Sequence, residues 1–546
     1  MAYFCTENNL QVIPSDKPQV LMEKLPATAD LNKTVPEQQA IAMVPAEWAV
    51  KRCCIPLRLR DGTLLVAVSD ATEYKIIDEL RLLLNTNDTG SNIEPVFCLA
   101  AKDDIGQAIK KYYGLGAAAA EKLTAQFQSE IVKDGDKTKD EELMDTGAAG
   151  EGPIAEFVNL LLIEAVKNRA TDIHIEPFEG KLHVRQRIDG MLCEVPIPKS
   201  MANFASNVVS RIKIMAKLDI AEKRLPHDGR IKTKIDSSEY DLRISVLPSA
   251  YGEAVNIRIL SQHMRFLPLD KLGLDCADMP VVEDLIRRPN GVILVTGPTG
   301  SGKTTFLYAC LSQINTIERK ILTIEDPIEY RMEGVIQMQT LAKINFSFAT
   351  ALRSMLRHDP DIMMIGEIRD SETAQITVRS ALTGHLVLST LHTNDAPGAI
   401  ARLLDMGIEP FLAASSLLSV IAIRLVRILC PHCRQKVPVE KYMLEQLGVS
   451  EAKCDVTCVY EPAGCQRCNQ TGFAGRTGIF EILRITEPIR ELIQNRVPTT
   501  TVKAAAVREW MKTLRQDGWR KVRAGLTSVS EVMRVSHADE LLHRDR

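Results

Sequence analysis

A glycine-rich stretch between an apolar run and an expected helix constrains the fold of this chain more than any other feature. Residues 292–295 are apolar, and the pattern G-x-x-x-x-G-K-T follows them and ends at Thr304. Glycine lets the backbone N–H groups of such a loop face phosphate oxygens at a helix N-terminus, where partial positive charge already lies. The lysine reaches the terminal phosphates, and the Thr304 hydroxyl binds magnesium. The pattern predicts a nucleoside triphosphate site formed by Gly297, Pro298, Thr299, Gly300, Ser301, Gly302, Lys303, Thr304 and Thr305.

Short apolar runs alternate with longer amphipathic segments around this loop, at residues 292–295, 321–324, 362–365 and 386–388. This alternation is typical of a parallel sheet that is covered on both faces. Because ligands bind such sheets at the carboxyl ends of the strands, the residues after each run are candidates for chemistry. They include Glu325, Glu367 and His392. We therefore predict an α/β nucleotide-hydrolysing core at residues 267–426.

Hydrolysis requires an acid that orients the attacking water and donors that stabilise charge on the γ-phosphoryl group. Glu367 is the first candidate for the Walker B acid, and Glu325 is a candidate for a second, water-positioning acid. The alternative for Glu325 is a structural ion pair with Arg331. His392 is predicted to sense the γ-phosphate, with a hydrogen-bonded core histidine as the alternative.

Residues 153–266 are predicted to form an α+β domain with a cationic face. A helical period after Pro153 changes to the alternation of an antiparallel sheet, with aliphatic side chains on one face and arginine and lysine on the other. Solvation explains any single lysine, but arginine is suited to bidentate phosphate contact. We predict that Arg185, Arg224 or Arg230 contacts a γ-phosphate.

Two Cys-x-x-Cys pairs predict a metal-binding module at residues 427–478. Their spacing suits a closed, tetrahedral zinc site with the ligands Cys430, Cys433, Cys465 and Cys468. Cys454 and Cys458 lie between the pairs and are alternative ligands with a looser spacing. Thirteen cysteines among 546 residues do not make a disulfide framework and suit a reducing cytoplasm. Residues 479–546 are predicted to be a helical C-terminal region.

The remaining segments predict a docking domain, a linker and no membrane span. A hairpin around Asp61-Gly62, followed by helices, indicates a small N-terminal α/β docking domain within residues 1–130. Residues 131–152 combine dense charge with glycine, as flexible linkers do. Arg424 and Arg427 interrupt the apolar residues 411–429, which we predict to form a buried helix rather than a span.

Several motifs together resemble the type II secretion ATPases and type IV pilus extension ATPases, hexameric motors of bacterial envelope machines. The resemblance covers roughly residues 45–535. Besides the phosphate loop and the cysteine pairs, its motifs lie at residues 171–177, 185–190, 224–230, 324–329, 366–370, 383–394 and 514–519. The resemblance implies a RecA-like ATPase core, a PAS-like middle domain that donates arginines to a neighbouring subunit, and zinc in the cysteine module.

The same resemblance implies ATP, Mg²⁺ and Zn²⁺ as cofactors and a homo-hexamer as the assembly. It places the chain in the cytoplasm, peripheral to the bacterial inner membrane through the cytoplasmic domains of the L-type and F-type platform proteins. We expect a motor that hydrolyses ATP to drive pseudopilus assembly and protein export in a type II secretion system. Type IV pilus extension is the alternative.

Some features depart from the family pattern or leave other functions open. Gln186 and His227 replace more usual residues, but both motifs stay intact. The N-terminal region lacks the Arg-Leu-Gly pattern of relatives that bind cyclic-di-GMP, so this ligand is not predicted. A net charge of −3 argues against a nucleic-acid translocase, and a pilus retraction motor should lack the cysteine module. A scaffold that binds ATP without hydrolysing it remains the non-enzymatic alternative.

Overall fold

The structure is a computed structural model that describes residues 2–6, 9–13, 29–31, 34–69, 74–85, 93–133, 152–235, 237–261, 267–447 and 456–536. The chain divides into two compact units, residues 1–263 and 264–546. Most of the predicted linker, and Cys454, lie outside the described residues.

The N-terminal part of the first unit is an α/β domain. Its elements are β1 (Ala2–Thr6), β2 (Asn9–Ile13), α1 (Gln38–Ala42), α2 (Ala46–Arg52), β3 (Cys54–Arg60), β4 (Thr63–Val68), α3 (Tyr74–Asn85), β5 (Glu94–Leu99), α4 (Lys102–Tyr112) and α5 (Ala117–Lys133). Within the described residues, the strand order is β2-β1-β5-β4-β3. The predicted hairpin joins β3 to β4, and Asp61 and Gly62 have φ values of 47° and 74°, as a two-residue hairpin turn requires.

The rest of the first unit is an antiparallel sheet with helices on one face. Its elements are α6 (Pro153–Lys167), β6 (Ala170–Phe178), β7 (Lys181–Ile188), β8 (Met191–Glu194), α7 (Ala205–Met215), β9 (His227–Ile235), β10 (Ser238–Ser249) and β11 (Gly252–Ser261). The described strands have the order β8-β7-β6-β11-β10-β9. Aliphatic side chains of this sheet, such as Ile173 and Ile244, form one buried cluster with Phe157 of α6 and Val208 of α7. The predicted one-sided antiparallel sheet is confirmed.

The second unit contains the predicted parallel sheet. Its first elements are α8 (Met279–Arg287), β12 (Gly291–Thr296), α9 (Lys303–Ile314), β13 (Ile321–Glu325), β14 (Val335–Gln339), α10 (Phe348–Met355), β15 (Ile362–Ile365), α11 (Ser371–Leu382), β16 (Leu386–Leu391), α12 (Ala396–Asp405), α13 (Pro410–Ser416) and β17 (Leu417–Leu429). The four apolar runs are the strands β12, β13, β15 and β16. Separate buried clusters cover the two faces of the sheet, one containing Val292 and Leu294 and the other Ile293 and Val295.

The prediction of a buried helix at residues 411–429 is wrong, because α13 ends at Ser416 and the long strand β17 follows. β17 lies between β12 and β20 (Phe473–Arg484) in the sheet order β14-β13-β15-β16-β12-β17-β20. A strand buried on both faces has no polar face, so its sequence does not alternate. A continuous apolar run cannot by itself distinguish such a strand from a buried helix.

The C-terminal part contains the cysteine pairs and a set of helices. Its elements are β18 (Gln435–Pro438), α14 (Lys441–Leu447), β19 (Cys458–Glu461), β20 (Phe473–Arg484), α15 (Glu487–Gln494), α16 (Thr499–Arg508), α17 (Leu514–Arg523) and α18 (Val529–Val535). β17 pairs with β20 in antiparallel register, which brings the two cysteine pairs to one end of this hairpin. The helical C-terminus is confirmed. In the described part of the chain, every helix is too short or too polar to cross a bilayer.

Candidate active site and metal centre

The phosphate loop connects β12 to α9 and packs closely against β17. A Cβ atom on Gly297 would lie 2.6 Å from the Ile423 carbonyl oxygen and 2.9 Å from Arg424 Nη1. Gly302, at the start of α9, has a φ of 94°, a conformation that costs other residues strain. Glycine is therefore required at both ends of the loop.

Lys303 folds back over this loop. Its ammonium group donates hydrogen bonds to the carbonyl oxygens of Gly297 (2.8 Å) and Pro298 (3.0 Å). Burial lowers the pKa of Lys303 to about 8, although the negative charge of Glu367 acts in the opposite direction. Phosphate oxygens would be stronger, charge-assisted acceptors for the same group. The ammonium group of Lys303 therefore lies against the phosphate loop, and its contact with a phosphate stays a prediction.

Glu367 and His392 meet at the carboxyl ends of β15 and β16, which are adjacent parallel strands. His392 Nε2 lies 3.1 Å from Glu367 Oε2, and Arg369 forms an ion pair with the same carboxylate. Burial alone would raise the pKa of Glu367, but the hydrogen bonds from Arg369 and His392 outweigh it and lower this pKa. An ionised carboxylate therefore lies beside the histidine that the sequence analysis selected.

Glu325 has different surroundings, because its side chain is buried at 3% exposure. Thr323 Oγ1 (2.6 Å) and Gln337 Nε2 (3.0 Å) donate hydrogen bonds to Oε1, and the Tyr308 hydroxyl donates one to Oε2. Burial raises the pKa of Glu325, and its hydrogen bonds offset part of that effect. Both oxygens of this candidate acid are thus bound by neighbouring side chains.

The candidate arginines of the middle domain are paired with carboxylates of the same domain. Arg185 contacts Glu176 at 2.7 Å, Arg224 contacts Glu222 at 2.7 Å, and Arg230 forms an ion pair with Asp241. Strand register places Arg187, Asp172, Arg258, Arg243 and Arg230 in one row across the sheet. The predicted cationic face therefore also carries the aspartates that hold its arginines.

The sequence analysis assigned no part in the site to two residues that lie beside the phosphate loop. Thr296 ends β12 and makes hydrogen bonds to Thr393. Arg424 of β17 donates to the carbonyl oxygens of Ile423 and Asn394. Arg424 could have been identified from the sequence, because an arginine inside a strongly apolar run needs buried hydrogen-bond acceptors.

Four cysteines form a compact cluster, and their Sγ atoms all lie within 4.8 Å of one another. Individual separations are 3.9 Å for Cys430–Cys465, 3.8 Å for Cys433–Cys468 and 3.7 Å for Cys465–Cys468. Zinc–sulfur bonds of about 2.3 Å in a regular tetrahedron imply sulfur–sulfur distances of about 3.8 Å. The three separations therefore match those of a tetrahedral zinc site.

Backbone N–H groups also donate hydrogen bonds to a sulfur atom of this cluster, which favours the thiolate form that binds a cation. The N–H groups of Cys465 and Gly472 each donate to Cys468 Sγ at 3.2 Å. Burial raises the pKa of the Cys468 thiol, but these hydrogen bonds outweigh it and lower the pKa to about 7. Cys458, one of the alternative ligands, does not belong to the four-cysteine group found among the described residues.

Comparison with known proteins assigns most of the chain to one family. The family described as "Type II/IV secretion system protein" matches residues 147–534. A second domain family, described as "MshEN domain", matches residues 24–119. The first match covers the antiparallel sheet, the phosphate-loop core and the four-cysteine cluster.

Relatives and solved structures agree with this match. The type IV pilus assembly ATPase PilB of Myxococcus xanthus is 44% identical over 499 residues, or 91% of this chain and 86% of that protein. The type II secretion system protein E of Aeromonas hydrophila is 50% identical over 399 residues, or 73% of this chain and 78% of that protein. The structure of the ATPase DotB of Yersinia pseudotuberculosis shares the fold, with a TM-score of 0.51, 20% identity, and coverage of 72% of this chain and 96% of that chain. The chain belongs to the type II/IV secretion system protein family.

Proposed function

We propose that this chain is the ATP-hydrolysing motor of a type II secretion system, and that it drives pseudopilus assembly and protein export. One observation carries the proposal. Lys303, Glu367 and His392 follow β12, β15 and β16, which are neighbouring parallel strands, and their side chains lie at the same edge of the sheet. Hydrolysis of a phosphoanhydride needs a cation that binds the phosphates and a group that orients the attacking water, and Lys303 and Glu367 suit these two parts, with His392 as a further donor.

Each of these groups has a distinct part in the reaction. The loop from Gly297 to Thr305 and Lys303 hold the phosphates, and the Thr304 hydroxyl would hold magnesium, which neutralises phosphate charge when bound. Glu367, kept ionised by its neighbours, orients the attacking water. His392, held against Glu367, contacts the γ-phosphate.

Glu325 acts beside these groups in our proposal. Its oxygens are already bound by Tyr308, Thr323 and Gln337, so direct contact with water would require one of these hydrogen bonds to break. We therefore assign the water-orienting part to Glu367 and keep Glu325 as the second acid, which supports the edge of the site from β13.

Arg185, Arg224 or Arg230 completes the ATP site of an adjacent subunit in a homo-hexamer. Each arginine is partly exposed and bound to a carboxylate. The partners of Arg185 and Arg224 are 24% and 20% exposed, whereas Asp241, the partner of Arg230, is 7% exposed. A γ-phosphate carries more charge than a carboxylate and accepts arginine hydrogen bonds in the same bidentate way. Exchange of the carboxylate for the phosphate therefore costs little for Arg185 and Arg224, whereas exchange by Arg230 would leave a largely buried carboxylate unpaired.

The four cysteines hold one zinc ion whose part is to fold the module. The hexamer acts in the cytoplasm, where the N-terminal domain binds the cytoplasmic domains of the L-type and F-type platform proteins at the inner membrane. Its association with the membrane is peripheral and depends on these partners, and nucleic acid takes no part.

Type IV pilus extension is the second candidate, and one observation favours it. The pilus assembly ATPase of Myxococcus xanthus aligns with 91% of this chain, whereas the type II secretion protein of Aeromonas hydrophila aligns with 73%. The pilus relative therefore matches a larger share of this chain.

Deletion of the gene in its own bacterium separates the two candidates. We expect the deletion to abolish export of extracellular proteins and to leave surface pili in place. Re-expression of the wild-type chain should restore export, and the Lys303→Ala chain should not. Loss of pili with normal export would instead assign the chain to pilus extension.

A further inference from the structure

Thr296, at the end of β12, makes hydrogen bonds to the segment that follows β16. The Thr296 side chain is fully buried. Its hydroxyl accepts a hydrogen bond from the Thr393 N–H (2.9 Å) and lies 2.6 Å from the Thr393 hydroxyl. The phosphate loop begins at the next residue, and His392 precedes Thr393. The phosphate loop and the His392 segment are thus linked by side-chain hydrogen bonds, in addition to the backbone hydrogen bonds between β12 and β16.

Arg424 makes a second connection between the same two segments. Its side chain is only 5% exposed. Nη1 donates to the Ile423 carbonyl oxygen at 2.9 Å, and Nη2 donates to the Asn394 carbonyl oxygen at 2.5 Å. The same guanidinium group lies against the backbone of Gly297, because a Cβ there would be 2.9 Å from Nη1. One side chain therefore contacts both the phosphate loop and the segment that carries His392.

The far end of this segment is anchored as well. The Ala396 N–H donates to Glu481 Oε1 at 2.9 Å, and the Gly398 N–H donates to Asp395 Oδ1 at 3.0 Å. Burial lowers the pKa of Arg424, while the charges of Glu481 and Asp395 oppose this shift. A buried guanidinium is costly unless its hydrogen bonds and charge are compensated, and here both are.

We propose that Thr296 and Arg424 are positioning residues that hold the His392 segment in register with the phosphate loop, so that hydrolysis depends on them more strongly than ATP binding does. This inference rests on the proposed hydrolysis at this site. The loop amides and Lys303 bind ATP in our proposal. Neither Thr296 nor Arg424 supplies a phosphate-binding group, so their replacement leaves these groups in the chain. Water attack requires His392 and Glu367 to be correctly placed relative to the bound phosphates, and that placement is what the two contacts secure.

The test compares Thr296→Val and Arg424→Gln with the wild-type full-length chain. Turnover at saturating ATP and the dissociation constant of ATP are measured separately on assembled protein. Because a misplacement of about 1 Å can cost about 10²-fold in rate, we expect kcat to fall by about that factor in Arg424→Gln. ATP affinity should stay close to the wild-type value. Thr296→Val conserves shape and charge, so it remains informative if Arg424→Gln fails to fold.

Arg427→Gln is the matched control, since Arg427 lies on the same strand and is also largely buried. Its partners are Glu531 at 2.8 Å and the Phe473 ring at 3.9 Å, away from the phosphate loop. We expect this variant to lower the melting temperature and to leave kcat per assembled subunit unchanged.

Each result decides the matter. A fall in kcat with ATP affinity retained, in Thr296→Val and Arg424→Gln but not in Arg427→Gln, supports the inference. Unchanged kcat in the first two variants, or kcat and affinity falling by the same factor, overturns it while the proposed function stands. Absence of ATP turnover in the wild-type chain would overturn the proposed function and this inference together.

Discussion

Arginines in two regions of the molecule are held by different kinds of partner. In the core sheet, Arg424 is 5% exposed and donates to backbone carbonyl oxygens. In the middle domain, the side chains of Arg185 and Arg230 are 38% and 59% exposed and contact carboxylates. The backbone carbonyl groups that bind Arg424 are fixed by the sheet and its connecting loop. The side-chain carboxylates that bind Arg185 and Arg230 can be replaced by another anion. The first arrangement maintains geometry, and the second allows exchange.

Energies support this distinction. Leaving a buried charged group without a hydrogen-bond partner costs about 1–3 kcal/mol or more, whereas an exposed ion pair contributes about 0–1 kcal/mol. Arg185, whose carboxylate partner is 24% exposed, can therefore exchange it for a neighbour's γ-phosphate more readily than Arg230, whose partner Asp241 is 7% exposed. Arg424 cannot move without releasing the segment that carries His392 from its hydrogen bond at Asn394. The variants below are ordered from the largest expected effect to the smallest.

The largest effect is expected from the middle-domain arginines. An arginine supplied to a neighbouring site is worth about 10³–10⁵ in rate in other nucleotide hydrolases, so one of Arg185→Ala, Arg224→Ala and Arg230→Ala should nearly abolish turnover. ATP affinity should be retained in that variant. Separate measurement of turnover and affinity in the three proteins identifies the residue.

Mixing two inactive proteins tests whether this arginine acts between subunits. Mixed assemblies of Lys303→Ala with the inactive arginine variant contain some sites with an intact loop and a neighbour's intact arginine. We expect part of the activity to return. If labelled subunits exchange and no activity returns with any of the three arginines, the exchange model for this face is wrong.

A cysteine substitution affects folding rather than rate. Since ligand–metal free energy in structural zinc sites is folding free energy, Cys465→Ser should lower zinc from about one ion per chain and unfold the module locally. Elemental analysis and limited proteolysis measure both effects. Cys458→Ser and Cys454→Ser serve as controls and should retain zinc. Zinc lost from Cys454→Ser but kept in Cys465→Ser would show that the ligand assignment is wrong.

Arg427 represents an intermediate case, a largely buried arginine with a carboxylate partner. Burial would raise the pKa of Glu531, but hydrogen bonds from Arg534 and Arg427 outweigh it and lower the pKa from 4.5 to about 2. Because the folded-state pKa is depressed, this carboxylate stabilises the fold above the unfolded-state pKa, and the contribution is lost as pH falls through the range from 4.5 to about 2. Glu531→Gln should flatten the acid side of the stability curve measured by urea unfolding. An unchanged acid side would contradict this assignment.

The smallest effect is expected where the carboxylate of an exchangeable pair is removed. Asp241→Asn releases Arg230 from its ion pair with a largely buried carboxylate, so turnover should rise modestly if Arg230 is the arginine that acts between subunits. Glu239→Gln changes an exposed carboxylate on the same strand and is the charge-matched control. Equal effects of both variants would indicate a general charge effect rather than release of Arg230.

The success of prediction from the sequence also differs between these regions. β12, β13, β15 and β16 were predicted because local apolar runs identify strands that are buried on both faces, and the residues after them could be assigned to one edge of the sheet. β17 has the same local signal but extends over 13 residues, a length that suggested a helix. The difference depends on pairing with β12 and β20, which are distant in sequence.

The partners of the charged residues could not be predicted from the sequence either. The contact of Arg424 with Asn394 spans 30 residues, and the contact of Arg230 with Asp241 depends on the register of β9 and β10. Charge and residue type indicated that arginines matter in the middle domain. The structure is needed to show which of these arginines contact carboxylates, and that Arg424 packs against Gly297 of the phosphate loop.

The central claim is that Lys303 holds the nucleotide and Glu367 performs the chemistry at one site. The most direct measurement compares ATP affinity and single-turnover hydrolysis in Lys303→Ala and Glu367→Gln. Lys303→Ala should lose both. Glu367→Gln should bind ATP as the wild-type chain does and hydrolyse it about 10²–10⁴-fold more slowly, so that bound ATP accumulates. Normal hydrolysis in Glu367→Gln would contradict the claim and place the catalytic acid elsewhere.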